Sequence, residues 1–513
     1  MAEQAREATA PPPDPLTAGG EKERAAPRQR TADGSRFGKV SSTAADPSLA
    51  VAEGLAEALA QFGVNACDVC YFGHGTTVAT NALIQNRGAP TGLITSDGFR
   101  DLLEIGRQKR PELYDLQADK PPVLVDRRLR LEVPERLRYD GRVETALDEV
   151  AVHATVRMLR DAGVEAIAIC FLYSFLDPAH EAAAYSIVAE EFPEAFVCAS
   201  HEVAPEFREY ERLSTSVVNA YLGPIMASYL RGAADRLTAL GVSATPHLTQ
   251  SNGGVIDFEA AARLPVRTVL SGPSTGVVGA QVTARLVGAR DIITFDMGGT
   301  RRRRRSGASP PATARVRRRA SPASTRRMGT SGSIGGGSGA RASKDGLDGV
   351  HVHMTNTSNL PVEALEVEYP LTVLRYELVD GSAGPGRFRG GMGLRRAYRA
   401  EAECQLRLDG SRLFTPPWGL NGGHPGGRGA FRFGDGVEPF VNGSGRLRAG
   451  ETVEIITPGA SGEPVGMAHR PSAIPQWSNV VETARRWIDL EWLHAARACC
   501  FSRCARQSFL ASG

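Results

Sequence analysis

The chain has 513 residues, of which 42% are hydrophobic and 23% are charged, with a net charge of +3, and these values are typical of a globular protein with two or three domains. No apolar run reaches the 18 residues of a membrane span, and the first 30 residues lack the apolar core of a secretory signal. We therefore expect a cytoplasmic protein without membrane partners, although Arg24, Arg28 and Arg30 leave an organelle transit peptide open.

The first segment, residues 1–32, is rich in Ala, Pro and charge and is predicted to be a disordered leader. The eight cysteines of the chain are scattered without a framework of spacings, which argues against a disulfide scaffold. Cys67 and Cys70 form a C-x-x-C, but no second C-x-x-C completes a zinc site. Buried or half-buried thiols are favoured over a metal or redox role.

Between residues 33 and 300 the pattern alternates between strands and helices, which predicts an α/β domain. "TGLITS" is typical of a strand, "LDEVAVHATVRMLRDAG" of an amphipathic helix that ends at Gly163, and "VEAIAICFLYSF" of the next strand. Asp177 and Pro178 then predict the start of another helix. A long helical stretch follows in "EFREYERLSTSVVNAYLGPIMASYLRGAADRLTALG".

Three glycine-containing turns of this domain have the character of anion-binding loops, in which backbone N–H groups and hydroxyls meet at the start of a helix. The first is His74, Gly75, Thr76 and Thr77, which lies between a predicted strand and a helix. The second, after a predicted strand in "RTVL", contains Ser271, Gly272, Pro273, Ser274, Thr275 and Gly276. The third follows the strand "DIITF" and contains Asp296, Gly298, Gly299 and Thr300, where Asp296 would hold a magnesium-bound water.

For the first turn a simpler interpretation is slightly favoured on spacing alone. A threonine that caps a helix, preceded by a histidine with its own hydrogen-bond partner, has the same sequence. Each turn alone is weak evidence, because glycine turns after strands are common. Their occurrence in one α/β domain favours a nucleotide or substrate site.

Residues 301–344 contain twelve Arg, one Lys and no acidic residue, so the remainder of the chain carries a net charge of −10. This segment is poor in large apolar residues and is predicted to be a disordered linker. It lacks interleaved aromatic residues, so we expect no nucleic-acid binding. Short alternating runs over 345–460, such as "VEALEVEYPLTVLRYELVD", are typical of strands and predict a β-rich region. Residues 461–513 form an unassigned tail with a helical look.

The segments "HGTTVATNALIQNRGAPTGLITSDGFRDLLEIGRQKRPELYDL", "EFREYERLSTSVVNAYLGP", "LSGPSTGVVGA" and "DIITFDMGGT" closely resemble the hydantoinase A/oxoprolinase family, especially its N-methylhydantoinase A type. The stretch from "DGVHVHMTNTSNLPVEALEVEYPLTVLRYELVDGSAGPGRFRGGMGL" to "VEIITPG" resembles the C-terminal region of hydantoinase B/oxoprolinase. The resemblance implies a partial actin-like ATPase domain of the ribonuclease H-like type.

The resemblance also implies ATP-dependent opening of a cyclic amide such as 5-oxoproline or a hydantoin, and hence a place in glutathione metabolism. ATP and Mg²⁺ would be cofactors, and the resemblance is also compatible with a further divalent metal. The nucleotide would be held by Asp296, Gly298, Gly299, Thr300, Ser271, Gly272 and Gly276. His74, Gly75, Thr76, Thr77 and Arg107 would line the substrate cleft. The resemblance further implies that the protein forms a homo-oligomer or an association of hydantoinase A-type and B-type subunits. Acetone and acetophenone carboxylases resemble the same pair of families, so a carboxylase-like subunit is an alternative.

The sequence departs from the family where the nucleotide would bind. A first phosphate loop of the form DxGGTFTD is absent from the leader, and Arg301 follows "DMGGT" where the family continues differently. The arginine run looks like coding sequence that is read out of frame or through an unspliced or missing segment. The chain therefore looks truncated and internally disrupted, and an inactive fragment or an erroneous gene model is the second hypothesis.

Two further sets of residues have both a functional and a structural interpretation. Arg107 and Arg110 would clamp a carboxylate substrate, but an ion pair with Glu104 or Glu112 explains them equally well. His351 and His353 share one side of a strand and are a weak candidate for a metal site. Hydrogen bonds to Thr355, Asn356 or the backbone are favoured for the histidines.

Overall fold

The computed structural model describes residues 40–41, 43, 46–115, 117–286, 333–352, 355–410, 412–419, 422–435 and 443–463. The helices within these ranges are α1 (Pro47–Phe62), α2 (Val78–Ile84), α3 (Leu102–Ile105), α4 (Glu149–Asp161), α5 (Ala179–Glu191), α6 (Ser200–Val203), α7 (Glu209–Ala239), α8 (Phe258–Arg263), α9 (Ser271–Leu286) and α10 (Val362–Glu368). None of these helices combines the length and apolarity needed to cross a bilayer.

The strands of the same ranges are β1 (Phe72–His74), β2 (Thr91–Ser96), β3 (Arg130–Val133), β4 (Arg136–Leu137), β5 (Val143–Thr145), β6 (Ala166–Cys170), β7 (Phe196–Ala199), β8 (Pro246–Thr249), β9 (Val255–Asp257), β10 (Leu371–Leu378), β11 (Leu394–Ala400), β12 (Cys404–Leu408), β13 (Ala430–Phe433), β14 (Gly443–Leu447) and β15 (Thr452–Ile456). Short 3₁₀ turns lie at Ala66–Asp68, Arg127–Leu129 and Pro265–Thr268.

A parallel four-stranded sheet with the order β3-β2-β6-β7 forms the centre of the α/β part. Every residue of β2 and β6 is buried, as expected for parallel strands that are covered on both faces. Helices α4 and α5 pack on one face, where Val156, Leu159 and Val188 meet Ile94 and Ile169. The mixed α/β fold predicted for this region is confirmed.

Helix α7 connects this sheet to a second, smaller one. Its first turns place Leu213, Val217 and Ala220 in the core of the four-stranded sheet. Its later turns belong to a separate core around the sheet β1-β8-β9, in which β1 is parallel to β8 and β8 is antiparallel to β9. The 31-residue helix therefore fixes the position of β1 relative to the main sheet.

The β-rich part is built on an antiparallel sheet with the order β10-β11-β15-β13, with a separate β12-β14 pair. One small core, around Leu408, Leu447 and Val453, lies wholly within this part, but most of the buried face of β10 and β11 packs elsewhere. Val373, Tyr376, Leu378 and Leu394 share one core with residues of the α/β part, including Phe99. The two parts are therefore packed against each other rather than separated.

The end of the predicted linker is part of this packed structure. Residues 333–344 hydrogen bond along the β-rich part, with Gly336 bridged to Val350 and Ser338 N–H donated to Leu347. Arg341 forms an ion pair with Asp119, 2.7 Å from Nη1 to Oδ1. Residues 333–344 are therefore ordered, contrary to the prediction of a disordered linker over 301–344, because backbone hydrogen bonds offset the low apolar content of this stretch. Residues 287–332 lie outside the described ranges.

Two local predictions are wrong. The strand expected before Ser271 is a 3₁₀ turn that begins at Pro265. Asn219 holds the start of this turn by donating to Arg263 O and accepting from Val266 N. The strand expected over "VEALEVE" is helix α10, because Glu363 and Glu366 are buried partners of arginines rather than solvent-facing residues.

The glycines of "FRGGMG" lie where three backbone segments meet. Gly391 N–H donates to Ser338 O at 2.8 Å, and Gly391 O accepts from Ala460 N at 2.9 Å. A Cβ atom on Gly391 would lie well inside van der Waals contact of Leu347 O. Both neighbours are backbone, so they cannot move aside independently of the fold.

We expect Gly391→Ala to lower the free energy of unfolding by roughly 1–3 kcal/mol, as overpacking of a well-packed interior does. Gly443→Ala is the matched control, because a Cβ at Gly443 meets nothing within 4 Å and its backbone is not left-handed. Urea denaturation of both variants measures the difference. Equal stability of the two variants would contradict the close backbone approach at Gly391.

Candidate functional site

The first candidate turn follows the three-residue strand β1, whose His74 pairs in register with Leu248 of β8. Thr76 is buried, and its Oγ1 accepts a hydrogen bond from Val78 N at 3.2 Å, at the start of α2. Thr77 is exposed. Thr77, the N-cap residue of α2, makes no side-chain cap bond, so the simpler interpretation holds only in a modified form: the threonine that binds the start of the helix is Thr76, one position before the cap.

The hydrogen-bond partner of His74 across the core is a residue that no sequence pattern singles out. Its Nε2 lies 2.6 Å from Oη of Tyr229 on α7, 155 positions along the chain. Burial lowers the pKa of His74 to about 4, so the imidazole is neutral near pH 7. A neutral histidine held by a phenol has one ring nitrogen fixed in orientation.

His74 also lines a groove of about 470 Å³ between α1 and β1. The other lining residues are mostly apolar: Val40, Ser41, Ala50, Val51, Gly54, Leu55, Ala58, Phe72 and Gly73. The groove therefore presents an apolar wall with one imidazole at its edge.

The second candidate turn lies against the first. Ser271 is fully buried, and its Oγ accepts from Thr76 N at 3.3 Å, while Gly272 N donates to Thr76 O at 3.0 Å. A Cβ on Gly75 would overlap the side chain of Thr275. The two turns predicted from separate parts of the sequence thus meet at the carboxyl end of β1.

This contact limits which groups are free to bind an anion. The Gly272 N–H is already donated to Thr76, and Ser274 N–H is donated to Leu270 O at 3.1 Å. Ser271–Gly276 belong to the first turns of α9 rather than to a loop after a strand. Thr77 and Gly276 are exposed, and a Cβ at Gly276 would meet nothing within 4 Å. The open side of the cluster is therefore at Thr77 and Gly276.

Arg107 does not belong to this cluster. It pairs with Glu211 rather than with Glu104 or Glu112, with 3.0 Å from Nε to Oε1, and its guanidinium lies 5.9 Å from the ring centre of Tyr210. Glu211 and Tyr229 are 18 residues apart on α7, about 27 Å at 1.5 Å per residue. The structure therefore separates Arg107 from His74.

Arg110 is bound to the β-rich part. Its backbone N–H donates to Asn356 Oδ1 at 2.8 Å, and Nη2 donates to Thr355 O at 3.3 Å. These contacts tie the residue to the segment after His351 and do not place it near His74.

Of the remaining candidate metal and nucleotide ligands, the structure describes only some. His351 is buried, and its backbone N–H donates to Gln108 O at 2.9 Å. Burial and the nearby Arg110 lower the pKa of His351. His353, Asp296, Gly298, Gly299 and Thr300 lie outside the described residues. Within the part of the chain that the structure describes, no three His, Cys, Asp or Glu side chains are grouped as a metal site.

Cys67 and Cys70 are exposed, which corrects the expectation of buried or half-buried thiols. They lie on and just after the 3₁₀ turn Ala66–Asp68, between α1 and β1. Short connections of this kind run over the surface, so neither thiol reaches a core.

Three family models match the chain. They are "Hydantoinase/oxoprolinase N-terminal region" over residues 28–192, "Hydantoinase/oxoprolinase" over 212–302 and "Hydantoinase B/oxoprolinase" over 269–463. These matches confirm the resemblance drawn from the motifs, including the change from A-type to B-type sequence along the chain.

Two curated relatives and one solved structure are similar to part of the chain. The caprolactamase subunit alpha of Pseudomonas jessenii is 38% identical over 270 residues, which cover 51% of this chain and 38% of the relative. The 5-oxoprolinase of Saccharomyces cerevisiae is 32% identical over 256 residues, covering 44% and 19%. The crystal structure of the ATP-dependent caprolactamase from Pseudomonas jessenii is 36% identical, with a TM-score of 0.46, over 53% of this chain and 40% of that chain. The chain thus spans less than two fifths of the length of either curated relative.

Proposed function

We propose that the chain, which matches three hydantoinase/oxoprolinase family models, carries part of an ATP-dependent hydrolase that opens a cyclic amide, with an actin-like ATPase domain. The observation that supports a shared site is the contact between the two candidate turns, in which Ser271 and Gly272 bond to both backbone groups of Thr76. Substrate-binding and nucleotide-binding candidates thereby lie side by side at the end of β1.

The described residues fit one portion of an ATP and magnesium site. Thr77 and Gly276 are exposed and leave room for a phosphate to approach. The dipole of the 16-residue helix α9 favours an anion near its amino end, while the N–H groups of Gly272 and Ser274 there are already donated within the protein. These residues include no carboxylate, so we assign the magnesium-bound water to Asp296. When bound, ATP with Mg²⁺ supplies a phosphoryl group that makes an amide more open to attack by water.

His74 and Tyr229 would orient the cyclic amide. The neutral imidazole offers a hydrogen bond to an amide without a charge, and the neighbouring apolar wall suits the carbon atoms of a ring. Tyr229 holds the imidazole from the side of the core. Arg107 is left out of this site, since it pairs with Glu211 near the start of α7 and lies far from His74.

An equilibrium titration with labelled ATP and Mg²⁺ tests the binding half of the proposal. We expect saturable binding that Asp296→Ala weakens by at least about tenfold, since a removed magnesium-linked carboxylate costs more than about 1.4 kcal/mol. Asp235→Ala is the matched control, because Asp235 is exposed on α7.

A well-folded chain that shows no saturable ATP binding would contradict the proposal. That result would favour the second hypothesis, in which the chain is an inactive fragment or an erroneous gene model whose surfaces serve subunit association. Sequencing of the transcript through "GGTRRRRRSG" separates these two versions: an uninterrupted frame excludes the erroneous gene model.

A further inference from the structure

The C-x-x-C of Cys67 and Cys70 takes no part in the site proposed above. Both thiols are free and exposed. Cys67 lies in the 3₁₀ turn Ala66–Asp68, and Cys70 follows this turn two residues later, before strand β1 begins at Phe72. Because both thiols are exposed, burial does not account for the motif, and its chemistry depends on how the two side chains are placed.

The two thiols share the outer side of this connection. Ala66 and Val69 pack against the core around helix α7 and strand β8. They are three positions apart, and so are Cys67 and Cys70, one position further along. Side chains three residues apart lie over one another in a 3₁₀ turn. The two apolar side chains therefore face the core, and the two thiols face the solvent.

The backbone between the two cysteines changes direction. Val69 N donates to Ala66 O at 3.2 Å, and Val69 itself is extended, with φ −72° and ψ 105°. A helical residue followed by an extended one, here Asp68 and Val69, is the pattern of a type VIII turn, whose end residues lie within about 7 Å of each other. A disulfide needs Cα atoms about 4.4–6.8 Å apart. The turn therefore brings Cys67 and Cys70 into the range of a disulfide.

The surroundings of the pair favour exchange between thiols over catalysis or metal binding. Asn65–Cys70 contains no Lys, Arg or His, and Sγ of Cys67 lies 3.9 Å from Asp68 Oδ1. Catalytic cysteines instead lie beside a cation or at the amino end of a helix. Among the residues that the structure describes, no third ligand joins the two thiols in a metal site.

We propose that Cys67 and Cys70 form a reversible dithiol site, which a small disulfide oxidant converts into an intramolecular disulfide. One cysteine attacks the oxidant, forms a mixed disulfide and releases one small thiol; the other cysteine then attacks the protein sulfur and releases the second. Two electrons and two protons pass from the protein to the oxidant in this exchange. The proposal goes beyond the ATP-dependent reaction and does not depend on it.

The size of the ring indicates a labile bond rather than a structural one. It closes over four residues, and a disulfide stabilises a fold more when it closes a longer loop. Exposed disulfides are also accessible to reducing thiols, so the reaction runs in both directions.

The test treats the reduced full-length protein with excess oxidised glutathione under native conditions, alkylates the remaining thiols and measures peptide masses. We expect the peptide with both cysteines to lose two hydrogens, and this product to exceed the glutathione mixed disulfide by at least about tenfold. The reason is that a thiol on a short linker has an effective concentration in roughly the millimolar range, well above that of the released glutathione. Buried Cys170 and Cys198 should remain reduced. Two free thiols or a predominant mixed disulfide would overturn the proposal.

Cys70→Ser separates the pair from a single reactive cysteine. We expect Cys67 in this variant to stop at the mixed disulfide, whose share should rise at least about tenfold. Cys404→Ser is the matched control, because Cys404 lies on β12 and should leave the Cys67–Cys70 product unchanged. The same product distribution at Cys67 in both variants would overturn the assignment of Cys70 as its partner.

A second readout needs no oxidant. Phenylarsine oxide binds two neighbouring thiols through two As–S bonds and releases one water, and soft thiolate ligands suit this arsenic centre. We expect Cys70→Ser to bind one equivalent fewer than Cys404→Ser under native conditions. Equal stoichiometry in the two variants would overturn the close approach of Cys67 and Cys70.

Discussion

Arg212→Met is expected to lower the free energy of unfolding by about 3–5 kcal/mol, the cost of leaving one partner of a buried ion pair alone. Methionine keeps the length and apolar body of the side chain but removes the charge. Glu363 would then remain buried as a carboxylate with only the N–H groups of Tyr173 and Arg208 to bind it. Urea denaturation measures the loss.

The loss includes more than the ion pair. Arg212 Nη1 also donates to Glu206 O at 2.9 Å, and Nη2 donates to Phe171 O at 3.0 Å. Both carbonyls lose this donor in Arg212→Met. Because Phe171 directly follows strand β6, the change affects the central sheet as well as the contact of α10 with the α/β part.

A double-mutant cycle separates the pair from these other contacts. Glu363→Gln alone leaves the Arg212 charge unpaired, while the double variant Arg212→Met with Glu363→Gln buries no charge at this place. We expect the double variant to be destabilised by less than the sum of the two single changes, with a coupling of roughly 1–3 kcal/mol.

The control is Arg231→Met, since Arg231 is exposed on the same helix. We expect it to change the stability by no more than about 0.5 kcal/mol. If Arg212→Met were no more destabilising than Arg231→Met, the buried position of Arg212 would be contradicted.

The central sheet could be predicted from the sequence because its signals are local. "TGLITS", which centres on Leu93 and Ile94, is β2, and the apolar run "VEAIAICF" contains the whole of β6. Helix α4 has an N-cap at Asp148, whose Oδ1 accepts from Ala151 N, and Gly163 beyond its end has a φ of +75°. Each of these features depends on residues within one turn of each other.

Helix α10 could not be predicted in the same way. In "VEALEVE" valine, leucine and glutamate follow one another in a pattern that suits a half-exposed strand. The helix forms because Glu363 and Glu366 make buried ion pairs with Arg212 and Arg136, which lie in a distant part of the chain. Local spacing carries no information about partners 151 and 230 positions away.

The candidate site also combines features that local sequence predicts with a contact that it does not predict. The glycine turn at His74–Thr77 and the segment after Ser271 stand out in the sequence, and the structure brings them into contact. Tyr229 does not stand out, because it is one of many buried residues of α7. Only the three-dimensional arrangement identifies it as the partner of His74.

His74 is expected to make the stability of the protein fall between pH 6.5 and pH 4. Burial lowers the pKa of the folded histidine from 6.5 to about 4, so the unfolded chain binds a proton in this interval and the folded protein does not. The neutral form is the one that the fold accommodates beside Tyr229. The contribution is therefore fully present above pH 6.5, declines as the pH falls and is gone near pH 4.

The size of this effect follows from the pKa difference, which corresponds to about 3 kcal/mol at 1.36 kcal/mol per unit. Carboxylates titrate over part of the same interval, so the measured quantity is the difference between the wild type and His74→Gln. The unfolding free energy of both proteins is determined by urea denaturation at several pH values from 7 to 4. We expect His74→Gln to be less stable than the wild type at pH 7, and this difference in unfolding free energy to close or reverse towards pH 4.

His424→Gln is the control, because His424 is exposed and its variant should follow the wild type throughout. A difference between wild type and His74→Gln that stays constant with pH would show that His74 is protonated as easily in the fold as in the unfolded chain.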